Sequence, residues 1–378
     1  MQLVLRQEIP EDENLRSQWN ALVEEMECPE VFYTYEWALA VDRAYRASRT
    51  PLLLLAYEEG VLVGVAALTV DPATGKAAFL TSTTADYCDF VCSPQRRPGL
   101  VDAIFSELRR SGIPALVLAN LPASSATMAT LAADAGKHGY SLFSRPAYLC
   151  ARVVLGSPSE RQSTKQSVQS KQMLRRHLKT MAKTGPVRLD HRKSWERIAE
   201  VLPGFTTAHV GRFLASGRSS NLADPARQSF LVELAKLLAV PGWINVSCLM
   251  VGDQQVAWNY GFQYAGSWFW YQPTFDSRFQ RLYPGLCLLA KIVEEACDNP
   301  DINRVDLGLG EEKYKEWLAT GSQQTLHITA TISKATYVKE FARYHAASAI
   351  KRVPLMENCL RGALRWVSSL QKRTAHSA

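Results

Sequence analysis

The sequence predicts an α/β fold built from two copies of one unit, each a mixed sheet flanked by helices. The same order of signals runs around residues 37 to 120 and again around 230 to 310: a helix-like apolar stretch (Trp37 to Tyr45; Phe230 to Leu238), a proline (Pro51; Pro241), then two β-rich runs joined by a short turn. In each copy a third run leads to a loop carrying arginines. The tripeptide Pro-Gly-Leu follows, at Pro98 to Leu100 and at Pro284 to Leu286, and opens an apolar helix and then a short strand. At 378 residues the chain can hold two domains, each with a sizeable core. Two copies point to a two-domain enzyme with a cleft between the domains. A repeat array would need three or more short units.

The elements follow in order. Leu15, Trp19, Leu22, Val23 and Met26 have helical spacing, so a helix covers 15 to 26. Residues 51 to 83 read as a β-meander with turns at Glu58 to Gly60 and at Thr74-Gly75. Helices are expected over 98–111 and 123–138, and a strand from Arg145 to Leu155 closes the first unit. Residues 156–170 are polar and lack aromatics, which is linker composition. The expected domains are therefore 1–160, 161–335 and a basic, amphipathic helical tail over 336–378.

From Arg161 to Arg188 there are eight Lys or Arg and no acid. On a helix, Leu174, Leu178 and Met181 share one face, and Lys171, Arg175, Lys179 and Lys183 lie on the other. The first reading is a solvated face on a helix docked by its leucines; the second is a surface for anions. Residues 194–215 form a helix with Phe205, His209 and Phe213 on one face. A second meander over 244–275 is dense in aromatics, among them Trp258, Tyr260, Trp268, Trp270 and Tyr271. Strand side chains alternate, so Trp268, Trp270 and Tyr271 cannot all face one side, and one set should line a pocket or interface.

Composition narrows the class. Apolar residues make up 47 % and aromatics 10 %, which is globular and not disordered. The net charge of +7 suits an anionic ligand, a nucleic acid or a membrane surface, and decides among none of them. Eight cysteines without a CxxC pair read as reduced core residues, and no His or Cys cluster suggests a metal. The start, MQLVLRQEIPEDEN, is acidic and lacks the apolar stretch of a signal peptide, so a cytoplasmic protein is expected.

Two segments carry the site signal. In TFDSRFQRLYPGLCLLAKIVEEA, residues 274–296, a strand ends, a loop carries Arg278 and Arg281, and Pro284-Gly285 turns the chain into an apolar helix. The unpaired N–H groups of a helix start suit a pyrophosphate, and glycine allows close approach. The alternative is a plain cap with two solvated arginines. In NRVDLGLGEEKYKEWLA, residues 303–319, Asp306 stands in an apolar strand, and Glu311, Tyr314 and Lys315 follow Gly308 and Gly310. Such an acid either serves proton transfer or holds Lys315 or a backbone amide; both readings stay open.

These residues resemble a family. The order of three strands, arginine loop with glycine, helix and strand is similar to the GNAT acyltransferase fold. More closely, Phe205 to His209, Asp276 to Gly285 and the run DLGLGEEKYKEW from Asp306 to Trp317 resemble the CelD-type acetyltransferases associated with cellulose and exopolysaccharide synthesis. The acidic stretch Asp86-Tyr87-Cys88-Asp89 has its counterpart in their first half. The resemblance implies two tandem GNAT-like domains, as in Fem-type transferases, with one working acyl-CoA site. It implies transfer of an acyl group, acetyl in the simplest case, to an amine or hydroxyl such as an amino sugar.

On this reading Arg278, Arg281, Gly285 and Leu286 hold acyl-CoA, and Asp86, Tyr87, Trp270 and Lys315 meet the acceptor. Asp306, Glu311 or His209 serves as base, and Tyr314 or Tyr271 protonates the leaving thiolate; no metal takes part. Proline at the position of the first loop glycine removes a donor, which leaves room for a carrier-protein thioester in place of CoA. Two other classes stay open. One is an aminoacyl-tRNA-dependent transferase with RNA on the basic helix, although a helix without interleaved aromatics argues against nucleic acid. The other is a non-catalytic scaffold for polysaccharide synthesis whose tail, with Leu360, Leu364, Val367 and Leu370, rests on a membrane.

Overall fold

The structure, a computed structural model, describes residues 1–310 and 312–351, the side chains of 347–351 excepted. Glu311 and the expected tail from residue 352 onward lie outside the described residues.

The first half runs β1 (Gln2–Arg6), α1 (Glu13–Glu24), α2 (Tyr35–Tyr45), β2 (Pro51–Glu58), β3 (Val61–Val70), β4 (Ala77–Phe79), α3 (Arg97–Arg110), β5 (Ala115–Pro122), α4 (Ala126–Asp134) and β6 (Ser141–Val154). Two helices follow, α5 (Pro158–Ser170) and α6 (Gln172–Met181). The second half repeats the order: β7 (Val187–Arg192), α7 (Trp195–Ala215), α8 (Pro225–Ala239), β8 (Ile244–Val251), β9 (Gln254–Tyr264), β10 (Ser267–Phe275), α9 (Pro284–Asp298), β11 (Arg304–Asp306), α10 (Lys313–Glu316) and β12 (Gly321–Thr331); α11 (Lys334–Lys351) comes last. The duplication thus extends from β1 to β6 and from β7 to β12. Strands β1 and β7 escaped the sequence reading because they are short, half polar and at the two edges of the sheet.

The strands form one twelve-stranded sheet in the order β1-β2-β3-β4-β5-β12-β6-β11-β10-β9-β8-β7. Each half gives its last strand to the other. β6 pairs with β11, ending at Asp306↔Arg152, and β12 pairs with β5 from Thr325↔Pro122 to Thr331↔Ala115. β6 and β12 also pair with each other, from Gly321↔Arg152 to Thr331↔Ser141. The strand expected to close the first unit therefore joins the two units instead. β5 and β11 each present an edge of unpaired backbone groups, and the exchanged strands satisfy both edges.

Residues 158–170 are helix rather than linker. Ser157 and Glu160 form a capping box, and Val168 is buried. Arg161 donates to the carbonyls of Ala296, Asn299 and Ile302 around the end of α9. A helix with one narrow buried stripe looks like a linker in composition. The basic helix expected over 161–188 breaks at Lys171, which is extended, so α6 stands alone and docks by Leu174 and Met181.

Among the described residues the halves meet in a packed seam. α2 packs on α8, and the second meander supplies rings to the seam: Trp37 meets Phe230, Phe262 and Tyr271 at 5.6, 5.2 and 5.5 Å, and Phe32 meets Phe269 at 5.2 Å. Such pairs add about 0.5–1.5 kcal/mol each beyond area burial. On the opposite face of the second half, α5, α6 and α9 cover a separate core. Among the described residues no helix is long and apolar enough to cross a membrane.

Candidate active site

The site forms where two parallel strands part. β10 pairs with β11 for three residues, the last pair being Phe269↔Asp306. Beyond it β10 continues to Phe275, while the other chain turns off at Gly308, whose φ is +68°. A bulge between Phe269 and Gln272 shifts the register of β10 against β9. Alternation along β10 separates the aromatics. Trp268 and Trp270 join the core under α9, whereas Phe269 and Tyr271 pack with the seam under α2 and α8. The inserted residue re-aims the next side chain, so that Gln272 and Tyr271 both meet Arg227. The gap opens into a cavity of about 300 Å3 whose lining includes Arg212, Trp270, Phe275, Tyr283, Gly285 and Tyr314.

Helix α9 starts at this cavity. Tyr283, with φ 47°, is its N-cap, and no side chain caps the first turn. Gly285 and Leu286 line the cavity, so a free helix start with its partial positive charge faces the space. A Cβ on Gly285 would lie 3.4 Å from Phe275 Cδ1, so the turn already fits closely against β10. The two loop arginines differ. Arg278 is 74 % exposed in its side chain and holds Asp276 with two nitrogens at 2.9 and 2.6 Å. Arg281 is exposed in the turn just before α9.

Asp306 is completely buried and fully engaged. It accepts from Tyr87 Oη at 2.9 Å, Arg152 Nε at 2.7 Å and the Gly308 amide at 2.9 Å. Arg152 comes from β6 and Tyr87 from the loop between β4 and α3, so both partners belong to the first half. Beside them Glu30, held by Arg304 at 3.0 Å, is pushed up to about 7 by burial against the pull of Arg304.

Asp86 reaches the same place from the same first-half loop. In the repeat this loop is the counterpart of the Arg278–Tyr283 turn, but it folds across the seam: Thr84 O accepts from Tyr271 Oη, and Tyr87 reaches Asp306. Asp86 is partly exposed, yet protein surrounds it closely. Its Oδ2 lies 2.5 Å from where a Cβ on Gly308 would be, and the Trp270 carbonyl lies 3.4 Å from that point. Burial pushes the Asp86 carboxyl up to about 7, with Asp306 adding to the rise and Lys315 and Arg227 opposing it.

The remaining candidates separate by position. Tyr314 lines the cavity; its Oη accepts from Trp270 Nε1 at 3.0 Å, which leaves its own proton free, and burial pushes its phenol up to about 12. Lys315 is buried, with its ammonium on the Leu309 carbonyl at 2.6 Å and on Glu312 at 2.9 Å, and so pins the 308–310 loop. Tyr271 accepts from Arg227 at 2.7 Å. Its position under α2 and α8 puts it on the face of β10 away from α9. His209 is buried between Gln272 Nε2 at 2.9 Å and Ser220 Oγ at 2.8 Å, and burial takes its imidazole down to about 4. Cys248 and Cys287 are buried thiols pushed up to about 12 by desolvation.

Sequence reasoning missed two arginines. Arg212 lines the cavity with a buried, unpartnered Nε, and Arg227 holds Tyr271 and Gln272. Both are lone cations on amphipathic helices, which read locally as solvated side chains.

Comparisons with known proteins bear on the fold. Residues 169–316, under half of the chain, match the family described as Acetyltransferase (GNAT) domain. FemX superposes with a TM-score of 0.58 at 9 % identity, over 86 % of this chain and 97 % of that one. L-PGS from Bacillus licheniformis gives 0.54 at 9 % identity, over 92 % and 99 %. A conserved protein of unknown function from Bacteroides thetaiotaomicron gives 0.55 at 10 % identity, over 87 % and 100 %. At these identities the likeness is one of fold. No curated protein matches the sequence. The molecule is thus a mixed α/β protein of two tandem GNAT-like units, and residues 169–316 of its second half are similar to the GNAT acetyltransferase domain.

Proposed function

We propose that the second unit moves an acyl group from a thioester donor, acyl-CoA in its simplest form, to an amine or hydroxyl acceptor by direct transfer. The cavity between the parting ends of β10 and β11, closed by an uncapped helix start, carries this reading. A pantetheine arm is narrow and suits a gap between strands. Its phosphates would meet the first turn of α9, with Arg281 and Arg212 adding charge.

In this mechanism the parted edge of β10 after Phe269 faces the thioester carbonyl, where backbone donors hold the oxyanion. Asp86 takes the acceptor's proton. The new C–N or C–O bond forms as the C–S bond breaks, and Tyr314 returns a proton to the sulfur. Asp86 serves better than Asp306, whose oxygens are already committed to three donors. It also serves better than His209, whose two ring nitrogens are engaged by Ser220 and Gln272. Asp306 and Tyr87 then position the loop that carries Asp86. The CelD resemblance favours an amino sugar or exopolysaccharide precursor as acceptor.

Calorimetry with CoA, acetyl-CoA and longer acyl-CoAs tests the donor site. Wild type should bind, and Gly285→Val, whose side chain would press on Phe275, should weaken binding by about tenfold or more while the fold persists. Equal binding by both proteins, or none by wild type, would sink the donor assignment.

A further inference from the structure

The basic helix α6 lies beside the mouth of this cavity. It packs on α9 through Leu174 and Met181 and turns its cations outward: Arg175, Arg176, Lys179 and Lys183 are exposed. Among the described residues none of them, nor Lys171, makes an ion pair; the polar contact recorded for Arg175 is to the Ser170 carbonyl at 3.4 Å. The ring of His177 is 5.4 Å from Tyr283, which lines the cavity and begins α9. Lys171 lies over the Trp317 ring at 5.9 Å. Arg175 and Lys179 lie one turn apart on α6, with Lys171 at its N-cap and Lys183 in the turn just past its C-cap, so the four cations line the length of the helix, about 15 Å for ten residues.

The turn at α9 has far less free charge. Among the described residues Arg278 is neutralised by Asp276, Pro284 has no N–H, and of the two loop arginines Arg281 alone makes no ion pair. That provision suits the single phosphodiester of a phosphopantetheine arm. The stripe on α6 is too long for one compact nucleotide and matches an extended acidic surface. The exposed rings beside it are Trp317, near Lys171, and Tyr283, near His177; they do not alternate with the cations, so successive bases of a nucleic acid would find no stacking ladder.

We propose that α6 docks an acidic carrier protein, whose phosphopantetheine arm brings the acyl thioester past Tyr283 into the cavity. This rests on the thioester reading above. The chemistry balances in the same way: the arm's C–S bond breaks, the acceptor's C–N or C–O bond forms, Asp86 takes the acceptor's proton and Tyr314 protonates the sulfur. The carrier leaves with a free thiol.

The test measures binding, at low and high salt, of a generic acidic acyl carrier protein in apo, holo and acetylated forms, of acetyl-CoA and of a short unstructured RNA. The acetylated carrier should bind wild type, and more weakly as salt rises. Arg175→Glu with Lys179→Glu should weaken the carrier by about tenfold or more, with acetyl-CoA binding unchanged. An Arg175→Gln, Lys179→Gln pair, checked for an unchanged thermal midpoint, should show a smaller loss and guards against misfolding. Acetyl-CoA binding without carrier binding overturns this proposal alone, as does a charge-reversed protein that keeps the carrier. RNA binding that the reversal abolishes, with no carrier binding, replaces it with a nucleic-acid surface. Failure of both thioesters on wild type overturns the thioester reading and this proposal together.

Discussion

Gly308 and Asp86 are matched across the seam of the molecule. The glycine sits at φ +68° and leaves the space that the carboxylate fills, 2.5 Å from the missing Cβ. Gly308→Ala must therefore strain the backbone and displace Asp86, at a cost of about 1–3 kcal/mol. Urea unfolding should show that loss, with transfer activity reduced further than acetyl-CoA binding. As the proposed base, Asp86 would also set the pH response. With its carboxyl near 7, transfer should rise as pH passes through 7 and then level off. Asp86→Asn should flatten that limb and lower the rate by about 10²–10⁴-fold; an unchanged profile would remove Asp86 as the base. The stability sign is opposite. Asp86 and Glu30 titrate higher in the fold than in the unfolded chain, so the folded state holds more protons between the ordinary carboxyl range and about 7. Stability is then greatest below that window and falls as pH rises through it. Melting temperatures of Asp86→Asn should change less with pH over that range than those of wild type.

At the scale of elements, legibility followed periodicity. α9 and both meanders were readable because their apolar residues repeat at helical or strand period within one window. The turn into α9 was readable from Pro284 and Gly285. α5 was not, because its sequence buries Val168 and little else; its stability comes from the Ser157 capping box and from Arg161 reaching α9. Ser157→Ala should cost about 1 kcal/mol in chemical denaturation and leave acetyl-CoA binding intact. The bulge in β10 was equally invisible. Alternation alone put Trp268 and Trp270 on one face and Tyr271 on the other; the inserted residue acts one position later, where Gln272 joins Tyr271 on Arg227 at the seam.

The whole molecule is held by exchange. Because β6 and β12 each complete the other half's sheet, and because α2 and α8 share an aromatic core, neither half has a finished edge or a closed core alone. Calorimetry should show one unfolding transition, and a chain ended after residue 160 should fail to fold. Two separate transitions would contradict this account. The exchange also shapes the site: the loop between β4 and α3, with Asp86 and Tyr87, crosses from the first half to Asp306 and Gly308 of the second.

Taken alone, the sequence determined the duplication, the α/β class, the helix start at Pro284-Gly285 and the isolation of Asp306, since each is a local pattern of period, breaker or misplaced charge. Tertiary structure decided which acid stands free and which is tied, which aromatic faces the cavity, and that the halves trade strands. Those outcomes depend on residues more than a hundred positions apart, such as Tyr87 with Asp306, whose meeting no window of sequence contains.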